Sequence, residues 1–343
     1  MVDVPEVLSN VCGTIAGNFM ITELVDDYVK RDYGVYNAYD HDNPETITQI
    51  YIANPEVSAN RWKQSMSATQ CVLEAVRGRS LHFPKLVKAG KVKRLIFGAE
   101  GIQEYENDAE TYRPVLIIQN PLPYVLLSHI TNFSPNGAIP VELALNIGLG
   151  MVRALAALHR CGFTHRLVSP HSFSYITPPT IDKFVNRLMI TDMSLCMPWP
   201  RRPRTNIPFV GTLRYSAVKV HDGHEQGPCT DIQSVIFVMA EMVDKGLPWR
   251  SREVIPRHSR EVLPWHSREG IERLKYLKIY FPRDVTFRRL PHEIRSLYRD
   301  MILTSAQSVL DYDQIQNAFK SALMRRGPKA EELPSWLFQP GEE

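Results

Sequence analysis

Between Phe19 and Ile118 short apolar runs alternate with polar breaks, and beyond Pro123 apolar residues recur at helical spacing instead. The first stretch holds FMITELV, GVYNAYD, TITQIYIA, VKRLIFGA and RPVLII, separated by Asp, Asn, Pro and Gly clusters. That pattern predicts five strands joined by turns. Ser58 to Val76 interrupts them with the period of a helix. Val141–Arg160 is apolar nearly all round, and so is Asp231–Asp244, so both are expected as core helices. HEIRSLYRDMIL and DYDQIQNAFKSALMRR predict two amphipathic closing helices. The expected fold class is therefore α+β, a small β-rich part with one main helix followed by a larger, mainly helical part. Residues 1–18 read as an irregular extension, and 327–343, rich in Pro and Glu, as a loosely ordered tail.

Bulk properties narrow the class. At 343 residues the chain is long enough for a sizeable core shared between two lobes. A net charge of +3 gives no case for nucleic acid or a membrane surface as partner. Five cysteines (Cys12, Cys71, Cys161, Cys196, Cys229) stand far apart with no C-x-x-C, so reduced thiols and an intracellular setting, cytoplasmic or nuclear, are expected. The acidic start MVDVPEVLSNVCG lacks the basic region of a signal peptide. The most apolar stretch, Leu143 to Leu158, is broken by Arg153 and reads as a buried helix, not a membrane span.

Residues 247–270 are three tandem octapeptides, LPWRSREV, IPRHSREV and LPWHSREG. A proline every eight residues forbids a continuous helix, so an exposed loop or short turns are expected. The segment reads first as a tolerated loop insertion. Second, it reads as a basic-aromatic docking surface carrying Trp249, Trp265 and five arginines from Arg250 to Arg268.

The stretch CGFTHRLVSPHSF at 161–173 is followed by ITDMSL at 190–195, GTLRYS at 211–216 and GLPWR at 246–250. In that order these resemble the catalytic loop, metal-binding turn, substrate-side segment and helix-F end of protein kinases. The likeness is to the casein kinase 1 superfamily, especially its tau-tubulin-kinase-like branch. It implies a bilobal kinase-like domain over 19–326, with an N-lobe at 19–118, a hinge at 119–123 and a C-lobe at 124–326. The family has H-R-D-I-K-P-x-N-F where this chain has His165-Arg166-Leu167-Val168-Ser169-Pro170-His171-Ser172-Phe173. By that resemblance the catalytic Asp is Leu167, the Lys is Ser169 and the metal-binding Asn is Ser172.

Phosphoryl transfer in this family is mostly positioning and charge neutralisation, so each replacement removes a known part. Within VDDYVKRDYGVYNA only Gly34 stands where three glycines are implied, and side chains in the turn keep backbone amides from phosphates. The position of the strand lysine is Ile50, give or take one, and its partner glutamate falls near Thr69. Pro121 matches a hinge residue whose N–H normally donates to adenine, and proline has no N–H. Asp192 matches the Asp of the metal-binding turn. Alone, without the Asn at the Ser172 position, it reads as a turn residue bonding local backbone. Nucleotide and metal cofactors are accordingly not expected.

Other positions of the resemblance are retained. His165 and Arg166, Asp231, Gly211-Thr212, Arg214-Tyr215 and Trp249 match residues that brace the C-lobe. HDGHEQ at 221–226 invites a metal reading but is expected to be a surface turn. Ser169 and Ser172 lack the G-x-S-x-G elbow of a hydrolase. Cys161 is expected as a packed thiol rather than a nucleophile.

The functional expectation is a catalytically inactive member of this kinase group, not an enzyme, acting by protein binding as scaffold, decoy or regulator. Arg201, Arg202, Arg204 and Arg214 are the candidate groove for a phosphorylated or acidic partner segment. The alternative is an atypical or weakly active Ser/Thr kinase using ATP and magnesium, through Asp192 and displaced residues.

Overall fold

Alternation in the N-terminal part builds an antiparallel sheet, and helical periodicity in the C-terminal part builds stacked helices. The computed structural model describes residues 15–16, 19–25, 33–42, 47–53, 59–77, 80–93, 96–98, 101–103, 112–120, 123–199, 202, 204–250, 268–281 and 283–338. It divides into two units, Met1–Pro123 and Tyr124–Glu343.

In the first unit the strands are β1 (Ile15–Ala16), β2 (Phe19–Leu24), β3 (Tyr33–Asp40), β4 (Ile47–Ala53), β5 (Lys85–Lys93), β6 (Ile96–Gly98), β7 (Gly101–Gln103) and β8 (Tyr112–Asn120). The main sheet runs β1-β2-β3-β4-β8-β5, and β6 and β7 form a separate hairpin. Residues two apart on a strand share a face. Ile50 and Ile52 of β4 therefore join Tyr36, Ala38, Val115 and Ile117 in one apolar cluster. Helix α1 (Ala59–Val76) buries Met66, Thr69, Val72, Leu73 and Val76 along one stripe. One expectation needs correcting. VKRLIFGA is not one strand, because β5 ends at Lys93 and β6 starts at Ile96. Most of β5 lies upstream of it, in KLVKAGKVK.

In the second unit the strands are β9 (Tyr124–Leu126), β10 (Phe163–Thr164), β11 (Phe173–Ile176), β12 (Met189–Ile190) and β13 (Met197–Pro198). The helices are α2 (Val141–Arg160), α3 (Ile181–Asn186), α4 (Val218–His221), α5 (Pro228–Asp244), α6 (Arg268–Tyr280), α7 (Arg283–Thr286), α8 (His292–Leu303) and α9 (Tyr312–Met324). By length and composition α2 could cross a bilayer, but 78% of its most apolar window is buried inside this unit. It packs on α5, α9 and α3. The approach to α3 is close enough that a Cβ on Gly150 would lie 2.0 Å from the Phe184 carbonyl oxygen. Two short sheets frame the loop between α2 and β11: β10 with β13, and β11 between β9 and β12.

The C-terminal segment departs from the expected loose tail. Gly327–Glu331 and Ser335–Phe338 form single 3-10 turns. Asn146 Nδ2 of α2 donates to the Ala330 carbonyl at 2.8 Å, and Leu337 is buried. Residues 327–338 thus complete this unit. Of the octapeptide segment, Pro248–Arg250 forms a 3-10 turn and Arg268–Gly270 opens α6. Residues 251–267 lie outside the described ones.

Candidate functional site

The segment from His165 to Phe173 is held by one buried carboxylate. Asp231, in the first turn of α5, is 2% exposed. Its Oδ2 accepts from the His165 N–H and the Thr164 hydroxyl, both at 2.8 Å, and from His159 Nε2 at 3.0 Å. Its Oδ1 accepts from the Arg166 N–H at 2.9 Å. Burial pushes the carboxyl upward, but the bonds from His159 and the neighbouring imidazoles outweigh it and hold it below the ordinary range. A carboxylate only accepts, so His159 Nε2 carries the proton, and its Nδ1 is hydrogen-bonded to the Tyr312 hydroxyl. Asp231, Thr164, His159 and Tyr312 therefore form one buried network linking α5, β10, α2 and α9.

That network supports an unusual backbone. Arg166 has φ 68°, a left-handed conformation that costs a non-glycine residue roughly 1 kcal/mol, and the Arg166 N–H is one of those fixed by Asp231. Gly211 approaches from the other side with φ 119°, and a Cβ there would lie 2.5 Å from the Arg166 carbonyl oxygen. The His165 ring stacks on Phe173 at 5.7 Å, and its Nδ1 accepts from the Leu167 N–H at 3.1 Å. Ser172 Oγ donates to the Leu167 carbonyl at 2.6 Å and lies 3.1 Å from Ser169 Oγ. Backbone, Ser, His and Asp groups thus close the loop. The Leu167 side chain is half-buried and takes no part in these bonds.

Asp192 is buried one strand away. The Ser172 carbonyl accepts from the Thr191 and Asp192 N–H groups, and Asp192 Oδ1 accepts from the Ser194 N–H at 3.0 Å. Among the described residues, no three His, Cys, Asp or Glu side chains are grouped to hold a metal ion.

In the first unit, the residues aligned with nucleotide-binding positions pack as neutral core. Ile50 is fully buried in the sheet cluster. Thr69 is buried, and its hydroxyl donates to the Ser65 carbonyl at 3.0 Å. Gly34 lies within β3 opposite Ile52, and the Tyr36 ring comes within 2.9 Å of where its Cβ would be. Pro121 lies outside the described residues.

Of the four arginines of the expected groove, Arg202, Arg204 and Arg214 are described. Arg201 is outside the described residues, and Arg202 is exposed. Arg204 is held in a two-point pair by Glu225, Nε to Oε2 at 2.6 Å and Nη2 to Oε1 at 3.1 Å. Arg214 Nη1 meets Glu241 Oε1 at 3.3 Å, and Glu241 also accepts from the Tyr215 hydroxyl. Beside Arg214 opens a cavity of about 330 Å³ whose lining includes His129, His171, Glu241 and Lys245. Arg166 belongs with Arg204: its guanidinium is lowered by burial despite the charges of Glu225 and Asp231.

One residue escaped sequence reasoning. Lys278 of α6 is buried, and its Nζ donates to the Leu213 carbonyl at 2.7 Å, the Ser216 carbonyl at 2.5 Å and His221 Nε2 at 3.1 Å. It also sits over the Trp249 and Phe237 rings at 5.5 and 5.4 Å. Burial depresses its pKa, while three acceptors around three N–H donors favour the ammonium. Trp249 Nε1 donates to the Arg214 carbonyl at 3.0 Å, so Lys278 and Trp249 together pin the GTLRYS segment. The signal for Lys278 was its place on the apolar stripe with Leu274 and Leu277.

HDGHEQ is a turn with Asp222 and His224 exposed, as expected, but His221, Glu225 and Gln226 are buried. The His221 ring stacks on Phe209 at 5.1 Å. Burial, then the charges of Lys278 and Lys275, push its pKa down to about 3 from 6.5. A depressed histidine pKa means that the unfolded chain takes up the proton first. Stability is therefore full above about pH 6.5 and falls as pH drops from there toward 3. At pH 5 the loss should reach roughly 2 kcal/mol, 1.36 kcal/mol for each pH unit. Urea unfolding at pH 7.5 and 5 should show this loss in the parent and a smaller one in His221→Gln. Equal losses in both would remove His221 as the cause.

A sheet-bearing unit with one main helix, a helical unit, and an Asp-held His-Arg loop together define a mixed α/β, protein-kinase-like fold. No family profile matches the chain. A Caenorhabditis elegans protein named as a casein kinase I is 34% identical over 129 residues, 36% of this chain and 37% of that protein. A Dictyostelium discoideum protein named as a serine/threonine-protein kinase is 28% identical over 127 residues, 36% of this chain and 26% of that one. An Encephalitozoon cuniculi protein named as a casein kinase I homolog is 24% identical over 206 residues, 58% of this chain and 62% of that one. These similarities support a protein-kinase-like chain at low identity, and the chain spans from about a quarter to three fifths of these relatives. They also correct one expectation. The sequence reading held that the chain is not an enzyme, whereas the proteins it resembles carry the names of enzymes.

Proposed function

We propose that the chain is an atypical, weakly active Ser/Thr protein kinase of the casein kinase 1 kind, closest in its motifs to the tau-tubulin-kinase-like branch. The observation that carries this reading is the Asp231-held loop, built in full in a chain whose relatives are named as kinases. Such a loop fixes the backbone against which a substrate hydroxyl would be set. Asp192 is the carboxylate that would hold magnesium, which supplies neutralising charge to ATP phosphates. Ser172 would offer a hydroxyl beside it in place of an amide. Leu167 provides no general base, and a positioned base typically contributes 10²–10⁴-fold, so transfer should be slow by that factor.

The protein substrate in this reading carries acidic or phosphorylated residues. Lys245, His129 and His171 line the cavity beside Arg214, where Glu241 is already matched by Arg214 and Tyr215. An incoming anion would meet donors there. The test is the full chain incubated with radiolabelled ATP, magnesium and casein. Slow incorporation that disappears in Asp192→Asn is the expected result. Incorporation no higher in the parent than in Asp192→Asn would overturn the proposal.

A further inference from the structure

Lys278 carries its amino group into the core of the second unit. It is 8% exposed, and its Nζ meets three neutral acceptors, the Leu213 and Ser216 carbonyls and His221 Nε2. Among the described residues no carboxylate pairs with it. Burying a charge without a counter-ion is destabilising, and neutral hydrogen bonds offset only part of that. An apolar side chain of similar length would pack on the Trp249 and Phe237 rings without this loss. Stability alone therefore gives no reason for a lysine here.

What the lysine holds is one short segment. Leu213 and Ser216 flank Arg214 and Tyr215, and the Arg214 carbonyl accepts from Trp249 Nε1 at 3.0 Å. Lys278 and Trp249 thus fix the carbonyls of Leu213, Arg214 and Ser216. The segment is a turn, not a helix or strand, so these side-chain donors stand in for a regular ladder. Arg214 and Tyr215 line the cavity of about 330 Å³, whereas Lys278 and Trp249 do not. The arginine carries its charge at the end of a long side chain. A displacement of about 1 Å there is enough to weaken a recognition contact severely.

We propose that Lys278, together with Trp249, is a positioning residue for the acidic protein substrate. It sets the backbone from which Arg214 and Tyr215 face the cavity, without touching the substrate itself. This rests on the reading of that cavity as the place for acidic or phosphorylated residues, but not on phosphate transfer.

Two measurements on the full chain test it: anisotropy of a fluorescein-labelled phosphoserine peptide without ATP, and the KM for casein with radiolabelled ATP. Lys278→Met keeps the stem and removes the amino group. Trp249→Phe keeps an aromatic ring and removes one N–H. Lys278→Met should weaken peptide binding and raise the KM for casein about 10-fold, and Trp249→Phe about 3-fold. In both, kcat and the KM for ATP should move less than about 2-fold, the split that separates lost binding from lost folding. Phe319→Leu alters a buried ring that packs on α2, and should destabilise the chain while leaving peptide affinity unchanged. If Lys278→Met does not fold, Trp249→Phe decides by itself. Unchanged affinity in the folded variants overturns the inference, and so does an equal loss in Phe319→Leu or a parent that binds no peptide. Weakened binding in a chain that transfers no phosphate upholds the inference and removes the kinase reading instead.

Discussion

Asp231→Ala should cost roughly 3–5 kcal/mol of folding stability, the range for removing one partner of a buried ionic network. The carboxylate is almost fully buried and answers four donors: two backbone N–H groups, the Thr164 hydroxyl and His159 Nε2. Alanine leaves all four without their acceptor, and each orphaned buried donor carries its own desolvation cost. The change also releases the left-handed backbone at Arg166, which the Oδ1 contact keeps in place. Asp192→Ala is the comparison. Its carboxylate caps the local turn through the Ser194 N–H, and that loss is worth about 1 kcal/mol. Urea midpoints at matched slope measure both. Equal losses would mean that the loop does not depend on Asp231 more than on its neighbour.

Local pattern carried far in this chain. Helices α2, α8 and α9 lie where their periodicity put them, because each buries a stripe or a whole surface that period alone encodes. The Asp231 bracket was legible too, through the resemblance of CTDIQS and HRLVSPHSF to kinase segments. Strand β5 was not. It is the edge of its sheet, where lysines guard against further pairing, and its register shifts between Leu86 and Lys88, which breaks the alternation. HDGHEQ was legible only in part, for a different reason. Its polar letters suggest solvent, but His221 is covered by Lys278, 57 residues later, and Glu225 by Arg204, 21 residues earlier. The arginine groove was legible only in part, in the same way. Arg204 and Arg214 were read as donors to a partner, and each turned out to have a carboxylate of its own. Charge runs show which ions a segment holds, whereas their partners come from distant segments that only the fold brings near.

Leu167→Asp should raise phosphotransfer to casein by about 10²-fold, the lower end of what a positioned general base contributes. The substitution is placed to work because the loop does not use the Leu167 side chain. Its N–H is held by His165 Nδ1 and its carbonyl by Ser172 Oγ, and neither bond changes when the side chain does. The position is half-buried and not sealed, so a carboxylate there keeps contact with water and should not unfold the loop. The gain stops near the lower end because Ser169 and Ser172 still stand in place of a cation and an amide. Leu167→Asn separates a base from a polar side chain of the same size and should give no gain. If Leu167→Asp transfers phosphate no faster than Leu167→Asn, the loop does not present this position to a substrate hydroxyl. The reading of the chain as a slow kinase limited by its missing base would then fail.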